Sequence, residues 1–217
     1  PSEVADPPSI VSLKGANIES GTISQSYPER LYYDLTEATL GDIQLKGMDE
    51  GNDWEHLTFN KTDIDGLNFT DYRKPLKECG YDICKVRDPD NLFDELDTQT
   101  KKNTYLKARI GADAVRAYSA SSEFHIHELD AHLTHLSDNK ERLQYAVYRL
   151  YSFSCRYGER PSRVLVVFIP LLLFSYAATN VISIHPAVSV ISGILLTVLP
   201  PIFSGLLVLT SSRYIGD

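Results

Sequence analysis

Between Arg163 and Arg213 the chain has no Asp, Glu, Lys or Arg. Residues 164–212 form an apolar run that water solvates poorly. Its side chains favour hydrocarbon, and its backbone polar groups must be satisfied within the segment. This excludes an ordinary soluble domain at this end of the chain and predicts a membrane segment. Mean hydropathy is only −0.19 because it averages the run with a strongly charged remainder.

Basic charge is also in deficit. Lys and Arg number 21 against 29 Asp and Glu, a net charge of −8. That excludes the basic face a nucleic-acid binder needs. Residues 1–26 lack both a basic start and an apolar core, which excludes a secretory signal peptide there. The chain begins at Pro1 and ends at Asp217, directly after Gly216. Both ends read as cut points of a fragment or processed chain.

Cysteine is scarce: Cys79, Cys84 and Cys155. The first two are five apart in a stretch rich in Gly, Asp and Pro. A structural zinc site needs four ligands, usually from a second Cys or His pair. The simplest reading is free thiols in a reducing cytoplasm; a disulfide or metal clip is the alternative. No nucleophile–base pair, phosphate loop or metal-ligand set appears, so neither enzyme activity nor a cofactor is expected.

What is present first is a period of five. Leu13, Ile18 and Ile23 follow it, as do Leu35, Leu40 and Leu45, and Phe59, Ile64 and Phe69. Small or polar residues flank the centres, as in Ala16-Asn17-Ile18, Ala38-Thr39-Leu40 and Thr62-Asp63-Ile64. A period of five fits neither a helix at 3.6 nor a strand at 2. It suits stacked coils that each turn one apolar side chain inward per short face. The alternative is chance spacing in an irregular β-rich segment. These segments resemble degenerate pentapeptide repeats, and the resemblance implies a right-handed quadrilateral β-helix acting as a scaffold or interaction surface.

Residues 73–100 read as a connector, with Pro75, Gly80, Pro89 and several Asp favouring turns. Trp54 and Tyr81 are expected to pack at its base. From 101 to 157 Pro is absent and apolar residues recur at helical spacing: Leu129, Leu133 and Leu136, then Leu143, Val147 and Leu150. Two helices are expected, about 101–136 and 139–157, with Ser137-Asp138-Asn139 capping the second. His125, Glu128, His132 and His135 fall near one helical face and are the weak metal candidates. The usual chelating pair is i, i+4, which these histidines lack, so a solvated or helix-packing face is the simpler reading. A pH-sensitive patch is a third.

The lead-in to the apolar run carries Lys140, Arg142, Arg149, Arg156, Arg160 and Arg163 against Glu141 and Glu159, with Tyr145, Tyr148, Tyr151 and Tyr157. Basic flanks favour the cytoplasmic side and tyrosines the interface, which places residues 1–163 in the cytoplasm of a cell-membrane protein. The helix from about Tyr145 either lies along the membrane, apolar face down, or packs on the N-terminal domain. Residues 164–184 span roughly 31 Å as a helix, one bilayer crossing. Pro200-Pro201 divides the next segment, 187–212. It is either one kinked crossing or a re-entrant piece followed by a short helix over 202–209, roughly 12 Å long.

The end, "FSGLLVLTSSRYIGD", resembles the pore helix and filter of tetrameric cation channels. The filter-like candidates are Thr210, Ser211, Ser212, Arg213, Tyr214, Ile215, Gly216 and Asp217. Ser211 and Ser212 stand where the family has a Thr pair, and Gly216-Asp217 match its end. Tyr214 and Ile215 replace its first Gly and its aromatic, and Arg213 replaces a small apolar residue. The order of parts, including "CRYGERPSR" before the run, is similar to prokaryotic, especially archaeal, pentapeptide-repeat proteins that carry an ion-channel domain. The resemblance implies an inner pore helix beyond Asp217.

The expected organisation is therefore mixed β and α. A β-helix occupies 1–72, a connector 73–100, a helical linker 101–163 and a membrane segment 164–217. Two functions are expected in competition. One is a channel-like, cation-conducting pore subunit, potassium being one candidate ion, working as a homo-oligomer, a tetramer if a channel. The other is a membrane-anchored scaffold whose repeats bind a protein partner. The lipid bilayer is a partner in both, and nucleic acid in neither.

Overall fold

The computed structural model describes residues 9–25, 31–86, 93, 96–157, 169, 170 and 173. The chain divides into two compact units, Pro1–Lys140 and Glu141–Asp217.

Among the described residues the first unit opens with six strands: β1 (Ser9–Ser12), β2 (Asn17–Ser24), β3 (Leu31–Asp34), β4 (Thr39–Lys46), β5 (Leu57–Thr58) and β6 (Asp63–Ile64). They form two three-stranded sheets, β1-β3-β5 and β2-β4-β6, which the chain visits alternately. Every pairing is parallel. The first return is displaced by 22 residues, with Ser9 opposite Leu31 and Asn17 opposite Thr39. The second is displaced by 24, with Tyr33 opposite Leu57 and Thr39 opposite Asp63.

One turn, made three times, carries the chain from the first sheet to the second. It spans Leu13-Lys14-Gly15-Ala16, Leu35-Thr36-Glu37-Ala38 and Phe59-Asn60-Lys61-Thr62. In each, the fourth N–H donates to the first carbonyl, at 3.0, 2.9 and 3.3 Å. The third residue has positive φ: 66° at Gly15, 60° at Glu37 and 55° at Lys61. Type II turns require that conformation. Stacked turns bond to each other, Gly15 N–H to the Thr36 carbonyl at 2.9 Å and Glu37 N–H to the Asn60 carbonyl at 2.8 Å. The fourth residue sits at the inner corner, where Ala38 and Thr62 are fully buried. Thr62 meets the corner's polar demand by donating its Oγ1 hydrogen to the Leu35 carbonyl at 2.7 Å.

The nine residues of the five-residue spacing all join one core. Leu35, Leu40, Leu45, Phe59, Ile64, Phe69 and Ile23 are buried, and Leu13 and Ile18 pack partly buried against them. Register stacks Ile18 on Leu40 on Ile64 and Ile23 on Leu45. Each fully buried side chain of this size contributes about 1.5–3 kcal/mol.

The expected quadrilateral β-helix does not form. The strands make two small sheets, neither of them closed, in place of four walls. Residues 47–56 explain part of the difference. Gly47 has φ 70°, and a 3₁₀ helix follows at Gly51–His56. Asp53 Oδ2 accepts the Glu50 N–H at 3.0 Å and fixes that helix's start. After Ile64 the ladder ends, because the N–H groups of Asp65 and Gly66 both converge on the Leu40 carbonyl, at 3.1 and 3.2 Å.

Helices complete the unit: α1 (Arg73–Glu78), α2 (Thr98–Ala114) and α3 (Tyr118–Asp138). Asp97 caps α2, its carboxylate accepting from the Gln99 and Thr100 N–H groups at 2.9 Å each. α2 lies against β6 so closely that a Cβ at Gly111 would fall 1.8 Å from the Ile64 carbonyl oxygen. Lys107 bonds the Asp63 carboxylate at 2.8 Å and the Lys61 carbonyl at 2.6 Å across the same contact. On α3, Phe124 meets Phe69 and Tyr81 edge-on, at 5.2 and 6.0 Å. Trp54 and Tyr81 are both buried, and Trp54 stacks on Phe59 at 5.9 Å.

The helix expected over 101–136 is two helices. Arg116 adopts φ 59°, and the Ala117 N–H reaches back to the Ala112 carbonyl at 2.8 Å, closing α2 in a Schellman pattern. Asn139 caps the end of α3. The last helix, α4 (Arg142–Cys155), belongs to the second unit and starts at Glu141 without a side-chain cap, so Ser137-Asp138-Asn139 does not serve it. Among the described residues no helix is long and apolar enough to cross a membrane. The segments expected at 164–184 and 187–212 lie outside them, apart from Ile169, Pro170 and Leu173, which are helical and exposed.

Candidate functional site

On α4, Leu143, Val147, Leu150 and Phe153 recur at steps of four, three and three, which places them on one face. They are 80%, 60%, 68% and 67% exposed. Tyr145, Tyr148 and Ser152, on the opposite side, are half-buried, and so is Tyr151 on the flank. Tyr151 packs edge-on against Tyr157 at 5.8 Å. Arg142 and Arg149, seven residues apart and both exposed, line one edge of the apolar face. A helix folded for water alone buries its apolar stripe and shows its polar one. α4 leaves its apolar stripe exposed, beside its exposed arginines.

A second cluster joins α2 to α3. Arg109 Nε lies 3.0 Å from Glu128 Oε2, and His125 Nδ1 lies 3.5 Å from the same oxygen. Glu128 is buried. Burial pushes its carboxyl up, but the His125 ring, the Arg109 guanidinium and the Lys102 ammonium outweigh burial and hold it below its ordinary value. His132 Nδ1 faces Lys102 Nζ at 3.4 Å, and His135 Nε2 faces Asn139 Nδ2 at 2.8 Å. His125 and Glu128 are thus brought together around a guanidinium, while His132 and His135 go to other partners. Among the described residues no group of three or more His, Cys, Asp or Glu is placed to hold a metal ion.

A third cluster surrounds Cys84. The Tyr105 hydroxyl donates to Asp82 Oδ1 at 2.5 Å, and the same oxygen accepts the Cys84 N–H at 3.2 Å. Burial drives the Cys84 thiol up to about 12, and it raises the Cys79 thiol as well. Burial, with Cys84 and Asp82 beside it, also raises the Tyr105 phenol. His127 stacks on Tyr105 at 5.0 Å and bonds the Gly80 carbonyl through Nε2 at 2.8 Å. Cys79 and Cys84 carry free thiols. Such protonated thiols are poor nucleophiles.

No protein-family model, curated protein or solved structure matches the chain. The filter-like residues Thr210, Ser211, Ser212, Arg213, Tyr214, Ile215, Gly216 and Asp217 lie outside the described residues. Arg109, Lys102, Asp82 and Tyr105 are the cluster members that sequence reasoning missed. Each meets a partner 19 to 30 residues away, and no local spacing signals such a pairing.

Proposed function

We propose that the protein is a membrane protein held in the bilayer by residues 164–212, displaying its first unit on the cytoplasmic side as an interaction module. The observation that carries this reading is the charge-free run bracketed by Arg163 and Arg213. The basic, tyrosine-rich lead-in supports the orientation. The first unit, folded around one hydrophobic core, is read as the part that meets a protein partner.

The test is insertion. Two arginines at the centre of a crossing cost about 5–7 kcal/mol on the insertion scale. The double substitution Leu171→Arg with Leu172→Arg should shift the full chain from membrane pellet to supernatant after an alkaline carbonate wash. Release of the unsubstituted chain by the same wash would overturn the reading.

A second reading is favoured by the terminal residues, which resemble a cation-channel filter. An oligomer, a tetramer if a channel, would conduct cations past the backbone carbonyls of residues 211–216. Cation flux into vesicles holding the full chain supports it. Absence of flux with insertion verified leaves the anchored module alone.

A further inference from the structure

We infer that α4 lies on an anionic lipid surface, with Leu143, Val147, Leu150 and Phe153 set into the acyl boundary. The inference rests on the membrane reading above, which brings a bilayer close to α4.

Three observations lead to it. The helix exposes its apolar face while its tyrosine side is half-buried, so a hydrophobic surface completes the element. The edge of that face carries Arg142 and Arg149, while Glu141 at the N-cap is the one acidic residue of the element. Basic residues bordering an apolar stripe match an interfacial helix on anionic headgroups. The charge-free run begins at residue 164, a few residues after the end of α4 at Cys155. A bilayer held by that run stays at high effective concentration for α4.

A second copy of α4 fits less well. The helix contains no Asp or Glu and Glu141 stands only at its N-cap, so pairing with itself would bring up to four arginines together with at most two acidic groups, both at helix starts. An anionic headgroup layer supplies that charge.

The experiment places a reporter on each side of the helix. Leu150→Trp and, separately, Gln144→Trp are made in the full chain; both positions are exposed. The native Trp54 is buried in the first unit and forms the same background in both variants. Each protein is reconstituted in phosphatidylcholine–phosphatidylglycerol vesicles carrying lipids brominated near the headgroup end of the acyl chain. The Leu150→Trp emission should shift to the blue and lose most of its intensity, while Gln144→Trp keeps its own. Adding Arg142→Gln with Arg149→Gln, or using phosphatidylcholine alone, should restore part of the Leu150→Trp emission.

An unquenched Leu150→Trp overturns the inference. A blue shift without quenching also overturns it, because a protein surface then covers the face. Quenching unchanged by both the arginine substitutions and the neutral lipid overturns the anionic preference. Carbonate resistance separates the two proposals. A chain that resists the wash yet shows no quenching keeps its anchor and loses the surface helix. A chain that is stripped by the wash yet quenched before it keeps the surface helix and loses the anchor.

Discussion

Glu128 sits buried between α2 and α3 with Arg109 at 3.0 Å and His125 at 3.5 Å. Removing one partner of such a pair leaves the other charge without its counter-ion. The loss is about 3–5 kcal/mol in a dry interior. Arg109 retains 29% side-chain exposure, so solvent screening brings the expected loss for Glu128→Ala to about 1–3 kcal/mol. Trp54 is the only tryptophan and lies in this unit, so its fluorescence reports the unfolding midpoint. The pH dependence has a defined sign. The folded carboxyl is held below its ordinary value of 4.5, so the unfolded chain binds the proton more readily. The pair's contribution is complete above about pH 4.5 and is lost as pH falls through the depressed folded value. The stability gap between wild type and Glu128→Gln should therefore narrow in acid. A gap that widens there would contradict the pairing. Gly111 offers a second residue-scale test. Alanine gains about 1 kcal/mol of helix propensity, but its Cβ would collide with the Ile64 carbonyl at 1.8 Å. Backbone cannot rotate away as a side chain can, so the strain reaches about 3 kcal/mol. Gly111→Ala should lower stability by a net of about 2 kcal/mol, read from the same midpoint.

The break between α2 and α3 turns on Arg116, exposed at φ 59°. A left-handed conformation costs an L-residue about 1–2 kcal/mol, and glycine avoids it. Arg116→Gly should raise stability by about 0.5–1 kcal/mol, read from the same midpoint, since glycine also loses entropy on ordering. A drop would show that the arginine side chain does more than tolerate the turn. This break was invisible in the sequence because the position carries neither Gly nor Pro; the packing of α2 on β6 and of α3 on Phe69 and Tyr81 sets it. The stacked turns were more legible. Leu35, Leu40 and Ile64 announce themselves by spacing because every pass through the corner returns one side chain to the core. Ala38 and Thr62 announce themselves by size because the corner has no room for more. The number of sheets was not legible. It depends on the 3₁₀ helix at Gly51–His56 and on the ladder's end after Ile64, where Gly66 crosses the Gly41 backbone at a distance that only glycine permits.

At the scale of the whole chain, charge distribution carries the functional proposal, and it was readable from sequence because charge is a composition property. What sequence left open on α4 was which side of an amphipathic helix is turned to solvent. Spacing identifies the face but not its surroundings, and the exposure of Leu143, Val147, Leu150 and Phe153 supplies them. The most direct measurement is protease protection of the full chain in sealed inside-out membrane vesicles, whose cytoplasmic face is outward. Bilayer insertion predicts that proteinase K removes the first unit and leaves a protected fragment containing residues 164–212, which disappears only when detergent is added. Complete digestion without detergent would contradict it.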